Sequence, residues 1–201
     1  VYSLNSSNLR QSSKPIHSID VRDLGDVEGC YAEGPNKFGF GISTSFNNGK
    51  LLIGSLKDYV HLVEFVDGIT LSTVIPNPID HDHNDHNHKS DDSNTTTDYH
   101  KFGESVYVGD KNLYVAALNH DNGKGKVFVY PFQNNFAKTD VNAWTDPQEL
   151  QPNDVLENSH FGYRFSEIEN EISISTFNQK TIYNYSLGSS ESFEFSGVIS
   201  S

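Results

Sequence analysis

An all-β fold is what this 201-residue sequence predicts, and three observations carry that expectation. The first is composition: aromatics make up 12%, mostly Phe and Tyr, and 15 Gly with abundant Asn and Ser suit short strands joined by tight turns. The second is a stretch that occurs three times. Its clearest copy, KFGESVYVGDKNLYVAALNHDNGKGKVFVYPF at 101–132, opens on Phe-Gly and runs through SVYV, LYVAAL, a Gly-containing turn and VFVY. An earlier copy begins at Lys37 and a later one at His160, so the Phe-Gly pairs fall at Phe38-Gly39, Phe102-Gly103 and Phe161-Gly162, 64 and 59 residues apart. The third is that the middle runs, at 51–53, 113–118 and 172–177, mostly lack a wet face, as expected where a sheet is covered on both sides. Radially stacked sheets supply that environment. Repeats of about four strands at this spacing therefore read as part of a β-propeller: three repeats plus a leading half-blade.

The chain opens at Val1–Leu4 with a run resembling 127–130 and 183–187, which places the start on the third strand of a blade. Residues 15–25 supply its outer strand, and the end mirrors the start, with IYNYSL and ESFEFSGVIS as third and outer strands of the last blade. Methionine is absent, and the chain is expected to be one propeller segment, 1–201, of something longer. Such a segment should expose an apolar blade face at each end and self-associate on its own. Residues 76–100, PNPIDHDHNDHNHKSDDSNTTTDYH, are almost free of apolar side chains and read as an exposed, mobile insertion between blades, with 80–98 expected to be poorly ordered. The other long connection, 133–160, carries Phe136, Trp144, Leu150, Val155 and Leu156, enough to supply an outer strand near 142–151 and pack the remainder. The Gly after each Phe is expected to permit a turn or close approach, and the Phe to pack between blades.

At these residues the chain resembles the FG-GAP repeat family, best known from the β-propeller of integrin α chains. The Phe-Gly half of the signature is intact three times, while the Gly-Ala-Pro half has drifted to Gly54-Ser55-Leu56, Ala116-Ala117-Leu118 and Ser175-Thr176-Phe177. The aromatic strand that follows stands as VFVY at 127–130 and IYNY at 182–185. Similar repeats occur in the propeller attached to glycosylphosphatidylinositol-specific phospholipase D. The resemblance implies a non-catalytic recognition or adhesion module of a secreted or cell-surface protein, binding a protein or glycan ligand or the rest of its own propeller. The alternative is an accessory propeller of a secreted hydrolase similar to glycosylphosphatidylinositol-specific phospholipase D.

A net charge of −13 opposes binding to nucleic acid and to anionic membrane, and no apolar run is long enough to span a bilayer. Calcium, bound by several blades of the resembled family, needs six to eight hard oxygens. The matching turns at 46–50, 109–112 and 167–170 lack alternating Asp, and two carry Lys, so no calcium is expected there. The turn His120-Asp121-Asn122-Gly123 reads as a plain β-turn. His81, His83, His86 and His88, with His100 and the aspartates around them, suit only weak, opportunistic transition-metal binding, because the tract lacks a rigid frame. No other cofactor is expected.

Asn94, Asn5 and Asn184 head N-x-S/T sequons, with Asn94 the best placed and Asn184 requiring a solvent-facing strand position. Cys30, the single cysteine, reads as a small buried hydrophobe. There is no G-x-S-x-G, and Gly123-Lys124-Gly125-Lys126 reads as a hairpin turn rather than a phosphate loop. Glu167 and Glu169 read as solvated turn carboxylates. No catalytic constellation is visible in this segment, which leaves the parent protein free to carry one.

Overall fold

Each described copy of the repeat folds into a four-stranded antiparallel sheet whose strands follow one another in chain order. The computed structural model describes residues 42–55, 59–66, 69–80, 101–132, 144 and 146–200. Chain contacts divide the sequence into Val1–Gly34 and Pro35–Ser201, and the described residues all belong to the second unit. The expectations for residues 1–4 and 15–25, Cys30, Phe38-Gly39 and most of the polar insertion lie outside the described residues.

Sheet 1 comprises β1 (Thr44–Asn47), β2 (Lys50–Gly54), β3 (Tyr59–Val66) and β4 (Ile69–Pro76). Sheet 2 comprises β5 (Phe102–Val108), β6 (Asn112–Ala117), β7 (Lys126–Pro131) and β8 (Gln148–Leu150). Sheet 3 comprises β9 (Arg164–Ile168), β10 (Glu171–Ser175), β11 (Thr181–Leu187) and β12 (Phe193–Ser200). The fold is all-β. The β1–β2 hairpin turns on Asn48 and Gly49, both at positive φ (47° and 74°), the conformation that Asn-Gly supplies most cheaply.

Two apolar clusters lie between the sheets. Leu52, Val60, Leu62 and Ile75 of sheet 1 meet Phe102, Leu113, Val115 and Phe128 of sheet 2. From the opposite face of sheet 2, Tyr114, Ala116, Val127 and Leu150 meet Phe161, Ile172, Ile174 and Tyr183. Every residue of β6 is therefore buried, with alternate side chains serving alternate clusters, which is why its sequence lacks a wet face. β10 differs from that expectation. Its buried Ile172 and Ile174 alternate with Ser173 and Ser175, and Phe177 beyond it is 53% exposed.

Phe-Gly forms the joint between sheets. Phe102 and Phe161 are fully buried, each contributing about 1.5–3 kcal/mol of apolar transfer. The glycines behind them take φ of 89° and 101° and lie against the preceding sheet. A Cβ on Gly103 would meet Val60 Cγ2 at 2.8 Å, and one on Gly162 would meet Ala116 at 2.6 Å. The residue before each Phe is also left-handed: Lys101 at 54° and His160 at 53°. The partner position on the earlier sheet must be small in turn. A Cβ on Gly54 would overlap the carbonyl oxygen of Gly103, and Ala116 fills the matching place in sheet 2.

Strand register refines the repeat. Thr44 opposite Ile53 corresponds to Val106 opposite Val115 and Phe165 opposite Ile174. In the second and third copies the Phe of Phe-Gly stands four residues before that position. The same step back along the sequence from Thr44 falls on Phe40-Gly41, the second Phe-Gly of KFGFG, which lies outside the described residues. The sequence count therefore favours Phe40-Gly41 over Phe38-Gly39.

The outer strand expected near 142–151 is shorter, at Gln148–Leu150. Trp144, Leu150 and Val155 of that connection are buried, whereas Leu156 is 63% exposed. The outward face of sheet 3 is mixed rather than apolar: Arg164, Ser166, Ser173, Ser175 and Asn184 share it with Ile168, Ile182 and Ile199.

Candidate functional site

The turns read for calcium direct their oxygens into contacts between sheets. Asn47 Nδ2 donates to Gly109 O at 3.2 Å and to Asp110 Oδ1 at 3.1 Å. Asp110 N donates to Glu167 Oε2 and the Tyr114 hydroxyl to Glu167 Oε1, each at 2.7 Å. Lys111 Nζ donates to Asn170 Oδ1 at 3.1 Å. Glu167 is thus a clamp between sheets 2 and 3, not the solvated turn carboxylate its neighbourhood suggested. Burial, and then the adjoining Glu167 carboxylate, raise the Tyr114 phenol far above its ordinary range.

The turn at 120–123 is more than a plain β-turn. Asp121 and Asn122 are left-handed, and Gly123 and Gly125 follow at positive φ. This curl offers its carbonyls to the chain entering sheet 3: Asn158, His160 and Phe161 donate backbone N–H groups to Asn122, Gly123 and Lys124. A Cβ on Gly125 would press on the backbone of Phe161, so this glycine is required twice, for φ and for space.

The third feature is an open cleft of about 510 Å3 between the outer strands of sheets 2 and 3. It exists because β8 stops after three residues while β12 continues for eight. One anchor holds its inner end: Gln148 Nε2 donates to Phe193 O, and Phe193 N donates to Gln148 Oε1, both at 2.8 Å. The side-chain amide thereby substitutes for a strand's backbone.

One wall of the cleft is Tyr185, Phe195 and Val198; the other is Gln151, Pro152, Asn153 and Asp154. A β-bulge aims the key ring. Asn184 pairs with Gly197 but Tyr185 pairs with Phe195, leaving Ser196 as the extra residue. Regular pairing would set Ser196 opposite Tyr185 and turn Phe195 to the other face. Phe195 instead stands in the cleft, 57% exposed, with Tyr185 edge-on at 5.9 Å.

No family model matches the chain, and the curated proteins contain no match to it.

Of the residues picked out in the sequence, Phe102, Gly103, Phe161 and Gly162 form the two described joints. Asn184 lies mid-strand on the outward face of sheet 3, where its Oδ1 accepts from Ser173 Oγ at 2.7 Å. His81, His83, His86, His88, Asn94 and Asn5 lie outside the described residues. Among the described residues no group of three or more His, Cys, Asp or Glu gathers as a metal site. Sequence reasoning missed the cleft residues Gln151, Asn153, Asp154 and Phe195. The one legible signal was Gly197 within an aromatic strand, a mark of a bulge.

Proposed function

We propose that this chain is a recognition segment of a larger secreted or cell-surface protein, built as FG-GAP-type propeller blades and binding its ligand without chemistry. The single observation behind the reading is the cleft. It is formed by β12 and β11 on one side and by β8 and the turn that follows it on the other, anchored by the Gln148–Phe193 pair, and lined by an exposed aromatic ring opposite amide and carboxylate groups. Pre-formed concave sites with a few placed polar groups are where proteins take up ligands. The propeller reading draws its support from the repeated joint, in which Phe102-Gly103 and Phe161-Gly162 seat against small residues of the preceding sheet.

Fluorescently labelled 201-residue chain applied to intact cells tests the recognition reading. Saturable surface staining, competed by unlabelled chain, is expected. Staining that never saturates across cell types would remove it.

A further inference from the structure

We propose that the cleft between β8 and β12 binds a neutral hexopyranose unit, a ligand class that rests on the recognition reading above. A pyranose ring is amphipathic. Its axial C–H groups form an apolar face, and its hydroxyls form a polar rim. The cleft has the matching division, with the half-exposed ring of Phe195 beside Val198 on one wall and Gln151, Asn153 and Asp154 on the other.

Each part has a physical role. The negative face of an aromatic ring attracts polarised C–H groups. Phe195 is held for that purpose, because the bulge at Ser196 turns it inward and the edge of Tyr185 backs it. A carboxylate accepts two hydroxyl donors, and an amide both donates and accepts, so Asp154 and Asn153 can answer adjacent sugar hydroxyls. Gln151 already donates its Nε2 to Gly125 O at 3.1 Å, which fixes its side chain.

Charge selects the class within sugars. The lining holds two carboxylates, Glu149 and Asp154, and no Lys or Arg; Lys126 reaches Glu149 at 2.8 Å. An acidic lining disfavours sialylated or sulfated glycans and nucleotides. The volume of about 510 Å3 falls inside the roughly 300–1,000 Å3 range of small-molecule sites, and a single short cleft does not suit an extended peptide.

Saturation-transfer NMR on the 201-residue chain, with the methyl glycosides of glucose, galactose and mannose, is the test. At least one glycoside should receive saturation through its ring C–H protons. Phe195→Ala should abolish the signal, and Asp154→Asn should weaken binding about tenfold, the loss expected for one charge-assisted hydrogen bond. Both positions are exposed, and an unchanged melting temperature would show that the variants fold. Phe177→Ala, an exposed ring outside the cleft, should bind normally. Absence of transfer to every glycoside, or an undiminished signal in Phe195→Ala, overturns the proposal. Peptides that bind in the cleft while no glycoside does overturn it too. Saturable cell staining without glycoside binding would leave the recognition reading standing and remove only the sugar.

Discussion

The hydroxyl of Tyr114 donates to the carboxylate of Glu167 across 2.7 Å, tying the second strand of sheet 2 to the first strand of sheet 3. Glu167 also accepts from Asp110 N, so both its oxygens are engaged across the joint. Replacing it with Gln keeps the shape but puts an amide donor against one of two donors. Glu167→Gln is expected to cost about 1–3 kcal/mol, read as a lower urea midpoint with an unchanged slope. Glu169→Gln, at an exposed turn position, should stay within about 0.5 kcal/mol of the parent.

The glycine joints should be far less forgiving than the open glycine of β12. Gly162→Ala forces a side chain at φ 101° and a Cβ to within 2.6 Å of Ala116, and Gly125→Ala presses on Phe161. Each should lose at least about 2 kcal/mol in thermal or urea unfolding. At Gly197 an added Cβ meets nothing within 4 Å, and Gly197→Ala should lie within about 0.5 kcal/mol of the parent.

Acid should weaken sheet 1 through His61. Burial lowers its pKa from 6.5 to about 4 in the folded protein. Between those values the unfolded chain takes a proton that the folded one refuses, so stability is intact above pH 6.5 and falls as pH drops towards 4. The loss is of order 3 kcal/mol, from 1.36 kcal/mol per unit of pKa. Glu64 acts in the opposite sense: burial raises its pKa despite the pull of Lys50, so its proton uptake favours the folded state as pH falls. Melting curves from pH 7 to 4.5 should show a net decline, and His61→Gln should flatten it.

The Gln148 anchor should be visible in amide exchange. With Gln148→Ala, the Phe193 N–H loses its acceptor and should exchange about tenfold faster, the equivalent of roughly 1.4 kcal/mol. Amides of β10, which pair within their own sheet, should be unaffected.

Much of the stack was legible because the repeat imposes itself at every level. Phe-Gly, the two-sided LYVAAL run and the turn glycines are local signals of a packed joint, and Phe102, Gly103, Phe161 and Gly162 stand in those roles. Register was harder. KFGFG holds two Phe-Gly pairs, and spacing alone cannot choose between them without knowing which residue faces Ile53. The role of Glu167 was hidden because its partners, Asp110 and Tyr114, lie more than fifty residues away. Phe195 was hidden for another reason: a single inserted residue, Ser196, reverses the face on which every earlier residue of the strand lies, and alternation counts carry no mark of that reversal.

The two sides of each joint are chemically unlike: one sheet offers a small residue, Gly54 or Ala116, and the next inserts Phe-Gly against it. Such a contact has no two-fold axis, since neither surface can mate with itself. Any assembly made by repeating it is heterologous and has a direction, so it either closes as a ring or runs on. A symmetric pair of these stacks would have to use some other surface.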